Sequence, residues 1–353
     1  MERAASALPR TLLLGDRPVG AGVPPYLIAE IGSNHNQDLS LALDMIDLAA
    51  AAGADAVKFQ SIQFDKLYDA RRESPDFRDW FRQIELDEKW HATLADRARK
   101  SGLHFLSSPT YPEAVDILED CGVVAYKIAS PQVQGDPRVL SRAARTGKPL
   151  MLSFGYCEAA EIAAAVGLCR KEGNVDLIGL HCQSEYPAPA AHTNLRYMNS
   201  LAGTLGIPMG FSDHTLGSHL ALAAVALGAC VIEKHVTVSR DEPGPDHHFA
   251  ATFEEFRDLA AGVRDIHDAL GGGDFRPLSD EVKGYRKKVE LKAYAGRRLS
   301  RGESLSESDI RFHRGDETAI DYAHRHLLYG RPLIRDIGEG APIPADAFAA
   351  TGG

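Results

Sequence analysis

Short apolar segments alternate along the first 270 residues with longer segments in which apolar residues recur at helical spacing. The short segments are almost continuously hydrophobic, which is typical of strands that are buried on both faces. The pattern therefore predicts eight strands, at Tyr26–Ile31, Ala56–Gln60, His104–Ser108, Ala125–Ser130, Pro149–Phe154, Leu177–Cys182, Pro208–Asp213 and Cys230–His235.

The segments between these strands carry helix start and stop signals. Asp87 is a suitable cap, Pro112 and Pro137 suit first-turn positions, and Gly53 and Gly102 suit helix ends. The predicted helices include Leu39–Ala52, Asp87–Ser101, Pro112–Cys121, Pro137–Thr146, Cys157–Lys171 and Gly217–Leu227. Eight strand–helix units predict an α/β fold, a closed (β/α)8 TIM barrel. An open doubly wound sheet is the alternative, although no glycine-rich nucleotide loop follows any predicted strand.

The alternation stops after a last amphipathic segment, Phe253–Leu270. Gly271–Gly273 and the polar stretch to Lys288 have the composition of a linker. The remaining residues are strand and turn in character, and Gly296-Arg-Arg-Leu is echoed by Gly330-Arg-Pro-Leu. We therefore predict a barrel domain over residues 1–270, a linker over 271–288 and a small β-rich domain of two related halves over 289–353.

Composition and charge narrow the classes of function. The chain has 353 residues, 44% of them hydrophobic, and a formal net charge of −10, which disfavours sequence-independent binding of nucleic acid. Its five cysteines are scattered without a Cys-x-x-Cys pair, and neither a signal-peptide core nor an apolar run of membrane-spanning length is present. The sequence predicts a cytoplasmic protein with neither a membrane nor a nucleic-acid partner.

Polar residues stand at the carboxyl end of every predicted strand, where a TIM barrel places its chemistry. Taken singly, each has an ordinary explanation as an ion pair, a turn residue or a core histidine. Packing alone does not require all eight ends to be polar while the strand bodies are apolar. These residues include Glu30, Lys58, Gln60, Ser108, Lys127, Ser130, Ser153, His181, Ser212, His214, Glu233 and His235.

Two kinds of chemistry are indicated by this set. Lys58 and Lys127, together with the serines, are suited to hold a phosphate and a carboxylate. His214 and His235 stand on adjacent strands and are suited to a divalent metal, and Asp246 in the loop that follows lies within reach of the same end.

Six ordered motifs identify a family resemblance. They are Tyr26-Leu-Ile-Ala-Glu30-Ile-Gly-Ser-Asn-His, Val57-Lys58-Phe-Gln60, Tyr126-Lys127-Ile-Ala-Ser130, Gly210-Phe-Ser212-Asp-His214-Thr, Glu233-Lys-His235 and Pro243-Gly-Pro-Asp246. Together they resemble the sialic acid (N-acetylneuraminate) synthase family, which includes the legionaminic and pseudaminic acid synthases. The likeness begins near Leu12 with the family's leading hairpin, and the carboxyl-terminal domain resembles the family's antifreeze-like (SAF) domain.

The resemblance implies a transferase that condenses phosphoenolpyruvate with an aldehyde sugar such as N-acetylmannosamine, giving a nonulosonic 2-keto-3-deoxy acid and phosphate. It implies a divalent metal on His214 and His235, Mn²⁺ with Mg²⁺ or Co²⁺ as alternatives, and an acid/base role for Glu30. It also implies a domain-swapped homodimer in which Arg314 reaches the partner's acceptor. The same likeness implies that Tyr186 and Asp246 contact the acceptor and that Gln60 is another substrate-binding residue. It also implies that phosphoenolpyruvate is held by Lys58, Ser108, Lys127, Ser130, Ser153 and Ser212.

Departures from the family pattern fall on the acceptor side. Pro131-Gln132 replaces a Gly-Glu pair, Phe154 replaces a threonine, Ser184 replaces an asparagine, and no Pro-Gly-Asn stretch occurs between Ser61 and Glu85. An acceptor other than N-acetylmannosamine, for example a 6-deoxy or diacetamido sugar, fits these departures.

Two further classes of function stay open at this point. A metal-dependent sugar aldolase, lyase or isomerase would use the same barrel but would not need Lys58 and Lys127 together. A non-catalytic carbohydrate-binding or scaffold protein would be favoured by loss of Glu30, either lysine or either histidine, and all of these residues are present.

Overall fold

The structure, a computed structural model, describes residues 11–272 and 274–349. The chain divides into two units, Met1–Gly273 and Asp274–Gly353. The expectation about a signal peptide concerns in part residues 1–10, which lie outside the described residues.

Eight parallel strands form the centre of the first unit. Their hydrogen-bonded order is β5-β4-β3-β10-β9-β8-β7-β6, and β5 packs beside β6 without a ladder between them in the described residues. The result is a nearly closed barrel, so the predicted TIM-like fold is confirmed. The strands of the first unit are β1 (Leu12–Leu14), β2 (Arg17–Val19), β3 (Tyr26–Gly32), β4 (Ala56–Ser61), β5 (His104–Pro109), β6 (Tyr126–Ile128), β7 (Leu150–Ser153), β8 (Leu177–Cys182), β9 (Met209–Asp213), β10 (Val231–Thr237) and β11 (Ala251–Thr252).

Helices follow the barrel strands, and most of them cover the outer faces of these strands. They are α1 (Leu39–Ala51), α2 (Phe64–Leu67), α3 (Pro75–Arg82), α4 (His91–Lys100), α5 (Pro112–Asp120), α6 (Ser130–Gly135), α7 (Pro137–Arg145), α8 (Ala159–Lys171), α9 (Ala190–Thr193), α10 (Arg196–Leu205), α11 (His219–Ala226) and α12 (Phe253–Leu270). In the described part of the chain, no helix is long and apolar enough to cross a membrane. All five cysteines are free thiols.

Two predicted boundaries differ from the structure for local reasons. Asp87 caps a helical segment as predicted, but the segment starts as a 3-10 turn over Glu88–Trp90 and becomes α4 only at His91. The predicted strand Ala125–Ser130 stops at Ile128, because Ser130 begins α6 with a proline in its first turn.

The amino-terminal hairpin closes one end of the barrel. Strands β1 and β2 pair antiparallel, and Leu12, Leu14 and Val19 pack in one buried cluster with Tyr26 and other residues at the start of the barrel strands. A larger apolar shell lies between the strands and the helices. Access to the barrel interior is therefore left to the carboxyl ends of the strands.

The second unit contains helix α13 (Asp280–Val289) and the antiparallel strands β12 (Leu291–Ala295) and β13 (Ile310–Arg314). Much of the segment predicted as a linker is therefore helical. The two sequence repeats pair with each other through the bridges Leu299↔Ile337 and Ser304↔Pro332. An aspartate follows each repeat and makes a similar contact: Asp309 accepts from Arg297 at 2.8 Å, and Asp346 accepts from Arg335 at 2.7 Å.

The hairpin provides a stability test with a matched control in the same strand. Leu14 is fully buried whereas Leu13 is 63% exposed. We expect Leu14→Ala to lower the free energy of unfolding by about 2–4 kcal/mol through lost burial and a cavity, and Leu13→Ala to change it by less than about 0.5 kcal/mol. Both tryptophans, Trp80 and Trp90, belong to the first unit, so their fluorescence during urea unfolding reports on the barrel. Equal losses in the two variants would contradict the closing role of the hairpin.

Candidate active site

A cavity of about 480 Å³ opens at the carboxyl end of the barrel. Each of the eight barrel strands contributes at least one polar side chain to its lining, as the sequence predicted for strand ends. These strand residues are Glu30, Lys58, Gln60, Ser108, Lys127, Ser153, Cys182, Ser212, Glu233 and His235, and Ser130, Tyr186 and His214 join them from the loops and helices that follow.

Two predicted site residues stand apart from this lining. Asp246 lies beside the cavity, with its Oδ2 atom 3.9 Å from Nδ1 of His235 and accepting a hydrogen bond from Ser33 Oγ at 2.9 Å. Arg314 ends β13 in the second unit, and its predicted role stays a prediction.

Four buried charged side chains form the floor of the cavity: Glu30, Lys58, Lys127 and Glu233. The Nζ atom of Lys58 lies 2.7 Å from Glu30 and 3.7 Å from Glu233, and the Nζ atom of Lys127 lies 3.1 Å from Glu233. Ser212 also donates to Glu233, at 2.8 Å. Glu233 is thus the shared partner of both lysines, which allows two cations to be buried side by side.

The two carboxylates of the floor have opposite pKa shifts. Burial raises the pKa of Glu30 to about 7, although Lys58 opposes the shift. Burial alone would also raise the pKa of Glu233, but the charges of Lys127 and Lys58 outweigh it and lower the value to about 2. The floor therefore holds one carboxylate that stays ionised and one that can exchange a proton near neutral pH.

Hydroxyl groups surround the lysines. Ser108 Oγ lies 3.2 Å from the Nζ atom of Lys58, and Ser130 Oγ accepts from the backbone N–H of Gly155 at 2.9 Å. Ser153 Oγ is buried and has no hydrogen-bond partner among the residues that the structure describes. Because an unpaired buried hydroxyl is unfavourable, Ser153 is suited to bind a polar ligand atom.

His214 and His235 lie together above the floor, with their ring centroids 5.7 Å apart. Burial lowers the pKa of each imidazole to about 4, so both rings are neutral, which is the form that binds metals. The Nδ1 atom of His214 lies 2.8 Å from the carbonyl oxygen of Gln183, and its Nε2 atom lies 3.4 Å from Ser212 Oγ. Because Ser212 gives its hydroxyl proton to Glu233, Nε2 keeps its lone pair and is suited to bind a metal. Nδ1 of His235 is buried without a hydrogen-bond partner among the described residues.

These observations fit a divalent metal held by two imidazoles. Within residues 11–272 and 274–349, no group of three or more His, Cys, Asp or Glu side chains is arranged to hold a metal ion. Any metal bound here would therefore take its remaining ligands from water and substrate, as in an open catalytic site.

Tyr186 covers the histidines from the mouth of the cavity. Its ring centroid lies 4.4 Å from that of His214 and 5.3 Å from that of Phe249, and the side chain is nearly half exposed. A ring at the boundary between the metal-type ligands and solvent is suited to contact a substrate at the mouth of the cavity.

The structure adds functional candidates that sequence reasoning left without a role. Glu233 was recognised only as a polar strand-end residue, although it pairs with both lysines. Alternation along β10 is the signal that could have found it, since Glu233 and His235 line the cavity while Lys234 points the other way and donates to Asp213 at 2.7 Å. The lining also includes Cys182 and four apolar residues from the segment after β4: Ile62, Leu67, Tyr68 and Phe81.

Residues 45–275, nearly two thirds of the chain, match the NeuB family. The chain belongs to the NeuB family. It is 37% identical over 299 residues to N,N'-diacetyllegionaminic acid synthase of Campylobacter jejuni, covering 80% of this chain and 88% of that protein. It is 30% identical over 334 residues to pseudaminic acid synthase of Helicobacter pylori, covering 92% of this chain and 97% of that protein.

A solved structure agrees with this assignment. The N-acetylneuraminic acid (sialic acid) synthetase of Leptospira borgpetersenii superposes with a TM-score of 0.73 at 33% identity, covering 80% of this chain and 97% of that chain. The family resemblance read from the motifs, and with it the prediction of a sialic acid synthase-type enzyme, is confirmed.

The tight packing around Gly155, beside Ser130, can be tested by mutation in this NeuB-family protein. A Cβ atom on Gly155 would lie 2.2 Å from Ser184 Oγ and 2.6 Å from Cys182 Sγ. We expect Gly155→Ala to lower the free energy of unfolding by about 1–3 kcal/mol because the site is already filled. Gly167 in α8 has open space around it, and Gly167→Ala should raise stability by up to about 1 kcal/mol. Tryptophan fluorescence in urea measures both, and a neutral Gly155→Ala variant would contradict the packing described.

Proposed function

We propose that this chain condenses phosphoenolpyruvate with an aldehyde sugar of the N-acetylmannosamine type, forming a nonulosonic 2-keto-3-deoxy acid and phosphate. The observation that carries the proposal is the pair of buried lysines that share one carboxylate at the floor of the cavity. The relatives, named as synthases of legionaminic, pseudaminic and sialic acids, support the product class.

The charge of the floor suits an anionic donor. With Glu30 protonated, the floor carries two lysine charges against the single charge of Glu233, and therefore a net positive charge. Burial lowers the pKa of Lys127, and an anion bound beside this lysine favours its charged form. The phosphate and carboxylate of phosphoenolpyruvate would accept from the two lysines and from Ser108, Ser130, Ser153 and Ser212.

The geometry of the histidine pair supports a divalent metal on His214 and His235. We take Mn²⁺ as the metal, with Mg²⁺ and Co²⁺ as alternatives. A bound metal supplies a Lewis acid that polarises the aldehyde carbonyl.

The reaction makes one carbon–carbon bond and breaks one carbon–oxygen bond. C3 of phosphoenolpyruvate attacks the aldehyde carbon, and Glu30 gives its proton to the aldehyde oxygen, which becomes a hydroxyl. Positive charge develops at C2, water adds there, and the Glu30 carboxylate accepts the proton that this water loses. The hemiketal phosphate then collapses to the ketone: the bond between C2 and the phosphate oxygen breaks, and the phosphate leaves with the proton of the C2 hydroxyl. Gln60, which donates to Glu30 at 2.8 Å, orients the carboxyl group.

The acceptor occupies the outer part of the cavity. Tyr186 and Asp246 contact it, and Arg314 of a second chain completes the site in a swapped homodimer. Glu233 stays ionised and pairs with both lysines throughout.

The decisive experiment measures phosphate release from phosphoenolpyruvate with Mn²⁺ and a panel of aldehyde sugars, with products analysed by mass. We expect one acceptor to yield phosphate and a product that is heavier by a pyruvate unit. A metal-dependent aldolase or isomerase would transform sugars without releasing phosphate. Failure of phosphoenolpyruvate to bind would overturn the proposed function.

Metal binding has a separate test. We expect His214→Ala and His235→Ala each to lower turnover by at least about 100-fold and to weaken Mn²⁺ binding measured by electron paramagnetic resonance. His267→Ala, on the outer helix α12, is the matched control and should change neither quantity. Full turnover in either cavity variant, or in wild-type protein after chelation, would contradict the metal assignment.

A further inference from the structure

An ion pair lies on the outer face of the barrel, beside the two histidines of the cavity. Asp213 ends β9 and stands opposite Lys234 of β10 in the parallel ladder, and the Nζ atom of Lys234 lies 2.7 Å from Asp213 Oδ2. The side chains of Lys234 and Asp213 are only 3% and 0% exposed. Asp213 comes immediately before His214, and Lys234 comes immediately before His235. The pair is therefore one residue away from both metal-type ligands.

The same two side chains also hold the residue that follows His214. Asp213 Oδ1 accepts from the backbone N–H of Thr215 at 2.9 Å and from its hydroxyl at 2.7 Å. Lys234 Nζ donates to the carbonyl oxygen of Thr215 at 2.8 Å. The backbone on both sides of His214 is thus tied to the residue that precedes His235.

The hydrogen-bond ladder alone does not carry this link as far as the histidines. In the described residues, the register between β9 and β10 ends at the pair Asp213↔Lys234. His214 lies one residue beyond β9, and His235 pairs with Glu30 of β3. The ion pair therefore closes the contact between β9 and β10 at the level from which both imidazoles project.

Stability alone does not require an ion pair at this position. The other outward-facing residues of the two strands pack in the apolar shell between strands and helices, and they are Met209, Phe211, Ile232 and Val236. An apolar pair in place of Asp213 and Lys234 would join that shell at little cost, because desolvation offsets much of the attraction in a buried ion pair. An apolar pair cannot supply directional hydrogen bonds, however. The particular contribution of the ion pair is therefore a fixed geometry.

A metal held by two protein ligands depends strongly on the spacing of those ligands. Within the described residues, no third His, Cys, Asp or Glu side chain joins His214 and His235 in an arrangement that could hold a metal ion. Ligand groups must be held within about 0.5 Å of their binding geometry for a site to work well. The position of each imidazole follows that of its backbone, so the contacts on the outer face of β9 and β10 control the spacing of both.

We propose that Asp213 and Lys234 are positioning residues for the metal, which fix the distance between His214 and His235 from outside the cavity. The inference rests on the proposed function, since it concerns the metal that this function uses. It adds two residues that do not line the cavity and contact neither substrate nor the reacting atoms. Loss of the pair weakens metal binding even where the barrel stays folded.

Three variants test this role: Asp213→Asn, Lys234→Met and the double variant. Each single variant leaves one buried polar partner unpaired, so we expect it to unfold at a lower urea concentration than the wild type. The double variant has no unpaired charge and should regain much of this loss. We expect the Mn²⁺ dissociation constant, measured by electron paramagnetic resonance without substrates, to rise about 10- to 100-fold in all three variants. Stability and metal affinity then change independently, which a merely structural role does not allow.

Ile232→Val is the matched control, because Ile232 is fully buried on the same face of β10 and the change leaves both charged residues in place. It should lower the urea midpoint slightly and keep the wild-type affinity for Mn²⁺. The metal-free double variant should bind phosphoenolpyruvate as tightly as the metal-free wild type in calorimetric titration, because Lys58 and Lys127 stand on β4 and β6.

The outcomes separate this inference from the proposed function. Wild-type Mn²⁺ affinity in the double variant, or an equal loss of affinity in Ile232→Val, overturns the positioning role and leaves the synthase intact. Weaker binding of phosphoenolpyruvate by the double variant also overturns it, because the disturbance then extends to the floor. If the wild type fails to bind phosphoenolpyruvate while the double variant binds Mn²⁺ weakly, the synthase is overturned and the positioning role holds. Absence of Mn²⁺ binding by the wild type overturns both the metal assignment and this inference.

Discussion

The burial of two lysines beside each other is the constraint on which the rest of the site depends. Two neighbouring cations inside a barrel are unfavourable unless a carboxylate pairs with both, and Glu233 does so with help from Ser212. Burial is the main reason that His235 stays neutral, and the charges of Lys58 and Lys127 add to it. Asp246 and Glu233 act in the opposite direction. The charges that suit an anion thus also contribute to the neutral form of this metal-type ligand.

The fold could be predicted wherever burial controls the sequence. Strands buried on both faces must be continuously apolar, and all eight were found from that property alone. The pattern failed at Ser130, where a polar residue ends an apolar run but belongs to the next helix. The pattern also did not indicate α13, because six of its ten residues are charged and only Val282, Tyr285 and Val289 recur at helical spacing. Its composition therefore resembles that of a linker even though Ser279 caps a regular helix.

The site residues were predictable where the end of a strand determines the position of the side chain. Lys58, Lys127, His214 and His235 were expected at one edge because parallel strands share a carboxyl end, and the structure brings them into one cavity. Alternation along β10 places Glu233 at the same edge as His235, but its pairing with both lysines was not predictable, because these partners come from β4 and β6, far away in sequence. The apolar residues that line the cavity from the segment after β4 were not predicted for a different reason: short helices such as α2 have too few residues to show a helical period.

The hairpin that closes the amino end gives the barrel a single entrance, and this has a consequence for the order of events. Charged groups lie at the bottom of the cavity and apolar groups near its opening, so an acceptor that arrives first stands between the lysines and an incoming donor. Under the proposed function, a donor that enters before the sugar therefore reaches the lysines unobstructed.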